Sequence, residues 1–346
     1  MNILTRILHG LRAFVPGPGI FLLLIAPVTG AVLTGLTPPS HLSNLFPLLA
    51  LCILYGGGAI ICREFTLYWG KGWPTLLLLG AAFGVIDEGL INKSFFDPHW
   101  PYLGTLATYG RWEGVNWVWS VQQIVLHAVF SIILPVVIVG LIFPGRQRDR
   151  WAGPRSLLVL LVLFALAVIL GFFFGSSYHA PLYLYAGALG LAVILVLLAR
   201  FMPRNIRLPG RRTATSPMSF AFVGLLGTAV FFLLNWFLPL THLPFWGAIP
   251  ISLAVALITM FALLFMSGSG AGWRDTHKMF LVSSALLFFI VLAPFIEIFQ
   301  RQRDPGGLTV VALATLGLLY LLLRRVLRRE KQQQPPLPQQ QMTQVR

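Results

Sequence analysis

Residues 73–93 read WPTLLLLGAAFGVIDEGLINK. The run is mostly apolar and long enough to cross a hydrocarbon core, which takes about 17–25 residues in helical form. Inside it stands an adjacent pair of carboxylates, Asp87 and Glu88. A charge at membrane depth costs about 2.5–3.5 kcal/mol on insertion scales and by default marks a functional site. The same stretch therefore indicates an all-α membrane protein and the place where it works.

Outward from this span, nine more apolar stretches approach or exceed membrane length: Ile20–Leu36, Leu45–Cys62, Val118–Phe143, Leu157–Phe174, Leu182–Leu198, Phe220–Leu240, Phe245–Met266, Phe280–Phe299 and Leu308–Leu327. With Trp73–Lys93 they predict a polytopic membrane helix bundle of about ten transmembrane helices. Composition agrees. The chain is 57% hydrophobic and 10% charged, against about 25% charged residues in soluble domains.

Charge orients the bundle, because cytoplasmic loops collect Lys and Arg. With both termini placed inside, the termini and even-numbered loops hold 21 of the 25 basic residues, leaving only Lys93, Arg111, Arg301 and Arg303 on the other side. The protein is expected in the cytoplasmic membrane with both termini cytoplasmic. The net charge of +15 is spread over inner loops and tails, so it reads as orientation signal and contact with anionic lipids at the inner face. Nucleic acid is not an expected partner. Cys52 and Cys62 lie on one predicted helix, about 15 Å apart in rise, too far for a disulfide.

Residues 1–15 carry an amphipathic interfacial helix, with Ile3, Leu4, Ile7, Leu8 and Leu11 opposite Arg6, His9 and Arg12. A Pro16–Gly19 hinge follows, residues 16–329 form a single transmembrane domain, and the Gln- and Pro-rich residues 330–346 are an expected disordered tail. The long outer loop 94–117 holds Phe95, Phe96, Trp100, Tyr102, Tyr109, Trp112 and Trp117. It joins the carboxylate span to the next one, and is placed either to cover a site or to anchor in the headgroup region. No internal repeat is visible.

The fourth span carries His127. Helical rise places Glu88 about 7 Å and His127 about 5 Å outward of the membrane centre, a matching depth on consecutive antiparallel helices. Asn116, Ser120, Gln123, His127 and Ser131 form one polar stripe. Gly80, Gly84, Glu88 and Asn92 recur every four residues on the other helix, and glycines at that spacing let membrane helices approach closely. Asp87 is expected about 100° away from Glu88, offering its carboxylate to a different partner. Three chemistries fit: a divalent metal such as zinc that activates water, a buried carboxylate acting as general base, or a proton relay in a transporter. A structural Glu–His hydrogen bond would use the same residues.

The run Asp87-Glu88-Gly89-Leu90-Ile91-Asn92-Lys93 followed by His127 resembles the CaaX-prenyl-protease/Abi group of intramembrane proteases. That pattern is Glu-Glu-x-x-x-Arg, Phe-x-x-x-His and His-x-x-x-Asn on separate membrane helices. The resemblance implies Asp87 as the first, catalytic carboxylate, Glu88 as the second and His127 as the first histidine. Asn92 stands at the Arg position with Lys93 one place later, Gln123 replaces the Phe, and no histidine has Asn or Asp four residues on. The chemistry of that group faces the cytoplasm, whereas the charge distribution here places it in the outer half.

His99, His179 and His242 share a His-x-Pro pattern on the outer side. Pro favours helix starts, so the pattern fits a simple restart signal. Alternatively His179 or His242 completes a metal site with Glu88 and His127, since such a site takes three or more ligands. Glu297 and Asn235 are weaker candidates. Asn92, Gln123, Trp112 and Trp117 are the candidate substrate contacts. The leading expectation is an intramembrane hydrolase, a metal-dependent protease among them. The competing classes are a proton-coupled small-molecule transporter and a non-catalytic membrane subunit.

The topology is open to direct test. After replacement of Cys52 and Cys62, single cysteines introduced near Tyr109 and near Arg207 should react with an impermeant thiol reagent from opposite faces of the membrane. Labelling of both from one face would overturn the helix count.

Overall fold

The computed structural model describes residues 17–206, 213–300 and 304–333. Among them, nine helices are long and apolar enough to cross a membrane, and one further apolar helix is shorter. In chain order they are α1 (Pro18–Val32), α2 (Leu45–Tyr68), α3 (Trp73–Ile91), α4 (Trp117–Ile142), α5 (Pro154–Phe174), α6 (Leu182–Phe201), α7 (Pro217–Leu240), α8 (Phe245–Ser267), α9 (Asp275–Phe299) and α10 (Leu308–Gln333). The protein is an all-α polytopic bundle.

Several boundaries differ from the expected spans. Helix α1 ends at Val32 rather than Leu36, because the chain turns through Gly35 at φ +75°. It starts at Pro18 with Gly17 as N-cap, so half of the expected hinge is helix. Helix α2 runs on past Cys62 and carries Arg63 and Glu64 inside the membrane-length segment. Arg63 pairs with Glu64, donates to the Gln147 and Asp149 carbonyls at 3.0 and 2.7 Å, and lies over the Trp151 ring at 3.5 Å. These side chains are buried, and the pairing explains how an ion pair is tolerated there. Helix α10 continues through Gln333, beyond the expected start of the tail. The expected interfacial helix at 1–15 and residues 334–346 lie outside the described residues.

Contacts between loops sort the connections onto two faces. On one, Lys71 donates to the Met202 carbonyl, Ala214 to Ala271, His277 meets Thr215, Thr276 donates to Glu330 and Arg329 to Leu141. On the other, Ser40 meets Asp304, Lys93 reaches Ser176, Thr105 reaches Trp236 and Tyr109 reaches Leu243. The loops expected inside meet one another on the first face, and those expected outside meet on the second. The first face is the basic one.

Burial is uneven. The most apolar windows of α3 and α4 are 78% and 67% buried, whereas those of α5 and α8 are 0% and 6% buried. Helices α5 and α8 thus present their apolar surface outward, and α3 and α4 form the interior. Small residues bring α3 and α4 together. A Cβ built on Gly80 would lie 2.8 Å from the Ala128 Cα, and one on Gly84 3.0 Å from the His127 Cβ. Helix α6 packs on the other side of α3 through Ala188, Ala192 and Ala199, and the Thr75 hydroxyl donates to the Ala199 carbonyl at 2.9 Å. An aromatic core of Phe130, Phe231, Phe232 and Phe289 ties α4 to α7 and α9, with Phe130 and Phe289 edge to face at 5.0 Å.

The segment between α3 and α4 is not splayed outward. Phe95, Phe96, Leu103 and Leu106 are buried, and a two-stranded hairpin pairs β1 (Arg111–Trp112) with β2 (Val115–Asn116). Glu113 and Gly114 both have positive φ, as a tight hairpin turn of this twist requires.

A side chain at Gly80 meets backbone that cannot step aside. Gly80→Val should cost about 1–3 kcal/mol from overpacking and lower the melting temperature in detergent. Gly187→Ala on α6, with nothing within 4 Å of its Cβ, should leave it unchanged or raise it. Equal behaviour of the two variants would contradict the close α3–α4 contact.

Candidate functional site

Four helical segments wind with i→i+5 hydrogen bonds: Val28–Val32 in α1, Cys52–Gly57 in α2, Ile86–Ile91 in α3 and His127–Ile133 in α4. Such segments are rare and concentrate at functional sites. Here the segments of α2, α3 and α4 supply Tyr55, Asp87, Glu88 and His127 to a single place, and that of α1 packs Gly30 against Ser131.

The winding changes which side chains meet. A turn widened by one residue reduces the angle between successive side chains below the 100° of an α-helix. The Asn92 amide bonds the Asp87 carbonyl at 2.8 Å, closing that wider turn. Asp87 therefore turns toward the same imidazole as Glu88, with the Tyr55 hydroxyl beside its carboxylate. His127 Nε2 lies 3.0 Å from Glu88 Oε1 and 3.7 Å from Asp87 Oδ2, so both carboxylates reach the same imidazole. One ligand atom from each of the three residues lies within 4.8 Å of the others. Asp87 and His127 are fully buried, and Glu88 is nearly so.

Each group is oriented by neighbours. His127 Nδ1 is 2.9 Å from the Ser131 hydroxyl, which can donate or accept and so can support either ring tautomer. The imidazole packs against the Tyr55 and Phe83 rings at 5.9 and 5.8 Å. Lys93 has φ +58°, and this left-handed residue turns the chain back so that the Ser94 hydroxyl donates to Glu88 Oε2. The Trp119 indole N–H donates to Ser94 Oγ at 2.9 Å, completing a chain from indole to hydroxyl to carboxylate. The Asn92 amide lies 3.3 Å from Asp87 Oδ1 and 3.4 Å from Glu88 Oε1. The Lys93 amine, itself buried, turns away to the Ser176 carbonyl at 3.0 Å.

Two polar groups here lack partners. Asp87 Oδ2, and both ends of the wholly buried Gln123 side chain, make no hydrogen bond among the described residues. Unpaired buried polar atoms cost about 1–3 kcal/mol each, and Asp87 Oδ2 has His127 Nε2 at 3.7 Å as a neighbour.

Other expected site residues lie elsewhere. His179 and His242 are exposed side chains on loops and do not join the Asp87, Glu88 and His127 group, because both precede their helices on the surface and not within the bundle. Trp112 and Trp117 pack on each other at 6.5 Å and are 58% and 39% exposed. The aromatic residue joined to the site from this region is Trp119. Glu297 caps α10 by accepting from Gly307 and Thr309, and Asn235 pairs with Phe231 and Ser252. Tyr55, Ser94 and Trp119 escaped the sequence reading. A polar aromatic residue within an apolar span was the available signal for Tyr55.

These features define a class: a polytopic helical membrane protein with an ionisable centre in its most buried helix pair. The chain belongs to an uncharacterized membrane protein family, whose pattern matches residues 19–293 and so includes the whole centre. No curated protein and no solved structure matches it. The family match supports a membrane protein and gives no support to the CaaX-prenyl-protease/Abi resemblance; no second histidine joins the centre among the described residues.

Ser94→Ala leaves Glu88 Oε2 without its hydroxyl donor and should cost about 1–3 kcal/mol in thermal unfolding. Trp119→Phe should be less costly in the Ser94→Ala background than in the wild type, since its indole partner is already gone. Strict additivity would contradict the indole–hydroxyl–carboxylate chain.

Proposed function

We propose that the protein is an intramembrane hydrolase in which Asp87, Glu88 and His127 hold a divalent cation such as zinc. The observation that carries this reading is the convergence of three buried ligand atoms within 4.8 Å. Zinc bonds of about 2.0–2.2 Å in tetrahedral geometry put neighbouring ligands about 3.3–3.6 Å apart. The 3.0 and 3.7 Å separations from His127 Nε2 bracket that range. Three protein ligands leave a fourth position for water, the pattern of catalytic zinc rather than of structural zinc. Ser131, Ser94 and Asn92 are the outer partners that fix the imidazole and the carboxylates.

When bound, the cation would lower the pKa of its water, and hydrolysis adds the elements of that water across the scissile bond. Gln123, both ends of whose side chain are unpaired among the described residues, is the amide available to a substrate carbonyl, whereas Asn92 is engaged with the carboxylates; a substrate for so enclosed a centre is itself membrane-embedded. The exposed Trp112 and Trp117 belong to the approach surface. The basic face is read as cytoplasmic and in contact with anionic lipid, which places the centre in the half of the cytoplasmic membrane away from the cytoplasm.

A second reading, proton-coupled transport, is favoured by one observation: Glu88 and His127 stand at direct hydrogen-bond distance, 3.0 Å, and could pass a proton without a metal.

Metal content decides between them. Full-length protein in detergent, incubated with Zn²⁺ and desalted, should retain about one ion per chain, as expected of a three-ligand site. Glu88→Gln, Asp87→Asn and His127→Ala should each lose most of it, while Gly187→Ala keeps it. Equal retention by all variants, or none by the wild type, would sink the metal reading. Proton flux into liposomes that Glu88→Gln abolishes would then establish the second.

A further inference from the structure

At the end of α10 that meets Leu141 of α4, the helix carries an arginine-lined cleft. Its volume is about 240 Å³ and its walls are Leu321, Arg324, Arg325, Arg328 and Arg329. It lies outside residues 19–293. We infer that this cleft binds the phosphate of an anionic phospholipid headgroup on the basic face of the protein.

The arginines are poorly neutralised. Among the described residues none of the four forms an ion pair, although Asp275 and Glu330 stand nearby and engage Lys278, Arg274 and Thr276 instead. Arg329 is held in place by donating from Nη2 to the Leu141 carbonyl at 2.9 Å, while its Nη1 is buried and without a partner. A desolvated guanidinium nitrogen lacking an acceptor is satisfied by an oxyanion, and arginine suits phosphate because its planar fork can donate two parallel bonds. Spacings of three and four residues put these side chains on one helical face, so a single phosphate can be met by several of them.

Position selects a lipid rather than a free anion. Directly before the cleft, α10 exposes Val310, Leu313, Leu318, Tyr320 and Leu321. The charged cleft therefore begins where the apolar surface ends, and Leu321 lines both. A headgroup phosphate at that boundary would keep its acyl chains along the apolar stretch, whereas inorganic phosphate would gain nothing from it. The contact of Arg329 with Leu141 at the end of α4 also fixes the cleft on the face that carries Arg148, Arg150 and Arg204.

Native mass spectrometry of the full-length protein in detergent, titrated with phosphatidic acid and with phosphatidylcholine, tests the site. The wild type should show an adduct with phosphatidic acid preferred by about tenfold or more over phosphatidylcholine, given the contribution expected of several basic side chains. The variant Arg324→Gln/Arg325→Gln/Arg328→Gln should lose that preference; Arg329, tied to α4, is left in place. A control with equal charge loss, Arg148→Gln/Arg150→Gln/Arg204→Gln, should keep it. Equal loss in both variants would show diffuse attraction to the basic face and overturn a defined site. Displacement of the lipid adduct by inorganic phosphate at comparable concentration would overturn the lipid assignment.

Discussion

Burying three ionisable side chains in the interior of an apolar bundle is the constraint around which the rest is arranged. Asp87, Glu88 and His127 are shielded from bulk solvent, and each would be costly alone in hydrocarbon. They are tolerable only together, with His127 at 3.0 Å from Glu88 and both carboxylates further held by Asn92. Close packing of α3 on α4 through Gly80 and Gly84 permits that approach. Non-α segments on α3 and α4 then aim the groups at one another, and those on α1 and α2 pack beside them through Gly30 and Tyr55. A local departure from regular winding recurring at one level of the bundle is costly in hydrogen-bond geometry, and it is retained where the side chains must converge.

The periphery follows from this interior. Around α3 and α4, helices α5 and α8 turn their apolar surface outward, while α9 is half buried and packs with α7 and α10 in a second part of the core. The segment 94–117 packs Phe95, Phe96 and Leu106 over the end of α3 and delivers Ser94 to Glu88, where Trp119 of α4 donates to the Ser94 hydroxyl. It is a structural cover whose most exposed tryptophans do not take part in the centre. The Arg63–Glu64 pair serves the opposite face in a comparable way by fixing the loop between α4 and α5.

Much of this was legible in the sequence. Apolar run lengths are set by bilayer thickness, so ten helical segments could be read, and the distribution of basic residues sorted their loops as the structure does. The matching depth of Glu88 and His127 followed from helical rise alone, and the stripe Asn116, Ser120, Gln123, His127 and Ser131 is buried throughout. What escaped has physical reasons. An i→i+5 turn has no compositional signature, so the convergence of Asp87 with Glu88 on one imidazole was invisible, and an α-helical rule sent Asp87 elsewhere. Arg63 looked like a loop residue because lone arginines end spans, yet Glu64 beside it lets the helix continue. His179 and His242 were drawn in by ligand counting, which takes no account of where a loop lies. Ser94 reaches Glu88 only through the left-handed turn at Lys93, a backbone conformation that no periodicity reveals.

Whether the buried carboxylates and imidazole hold a cation decides the proposed function. Anomalous diffraction or a high-resolution map of the full-length protein saturated with Zn²⁺ addresses it most directly. A single ion peak is expected about 2.0–2.2 Å from His127 Nε2 and from one oxygen each of Asp87 and Glu88. A saturated protein with no peak there, and with Glu88 and His127 still in direct contact, would contradict the proposed cation site.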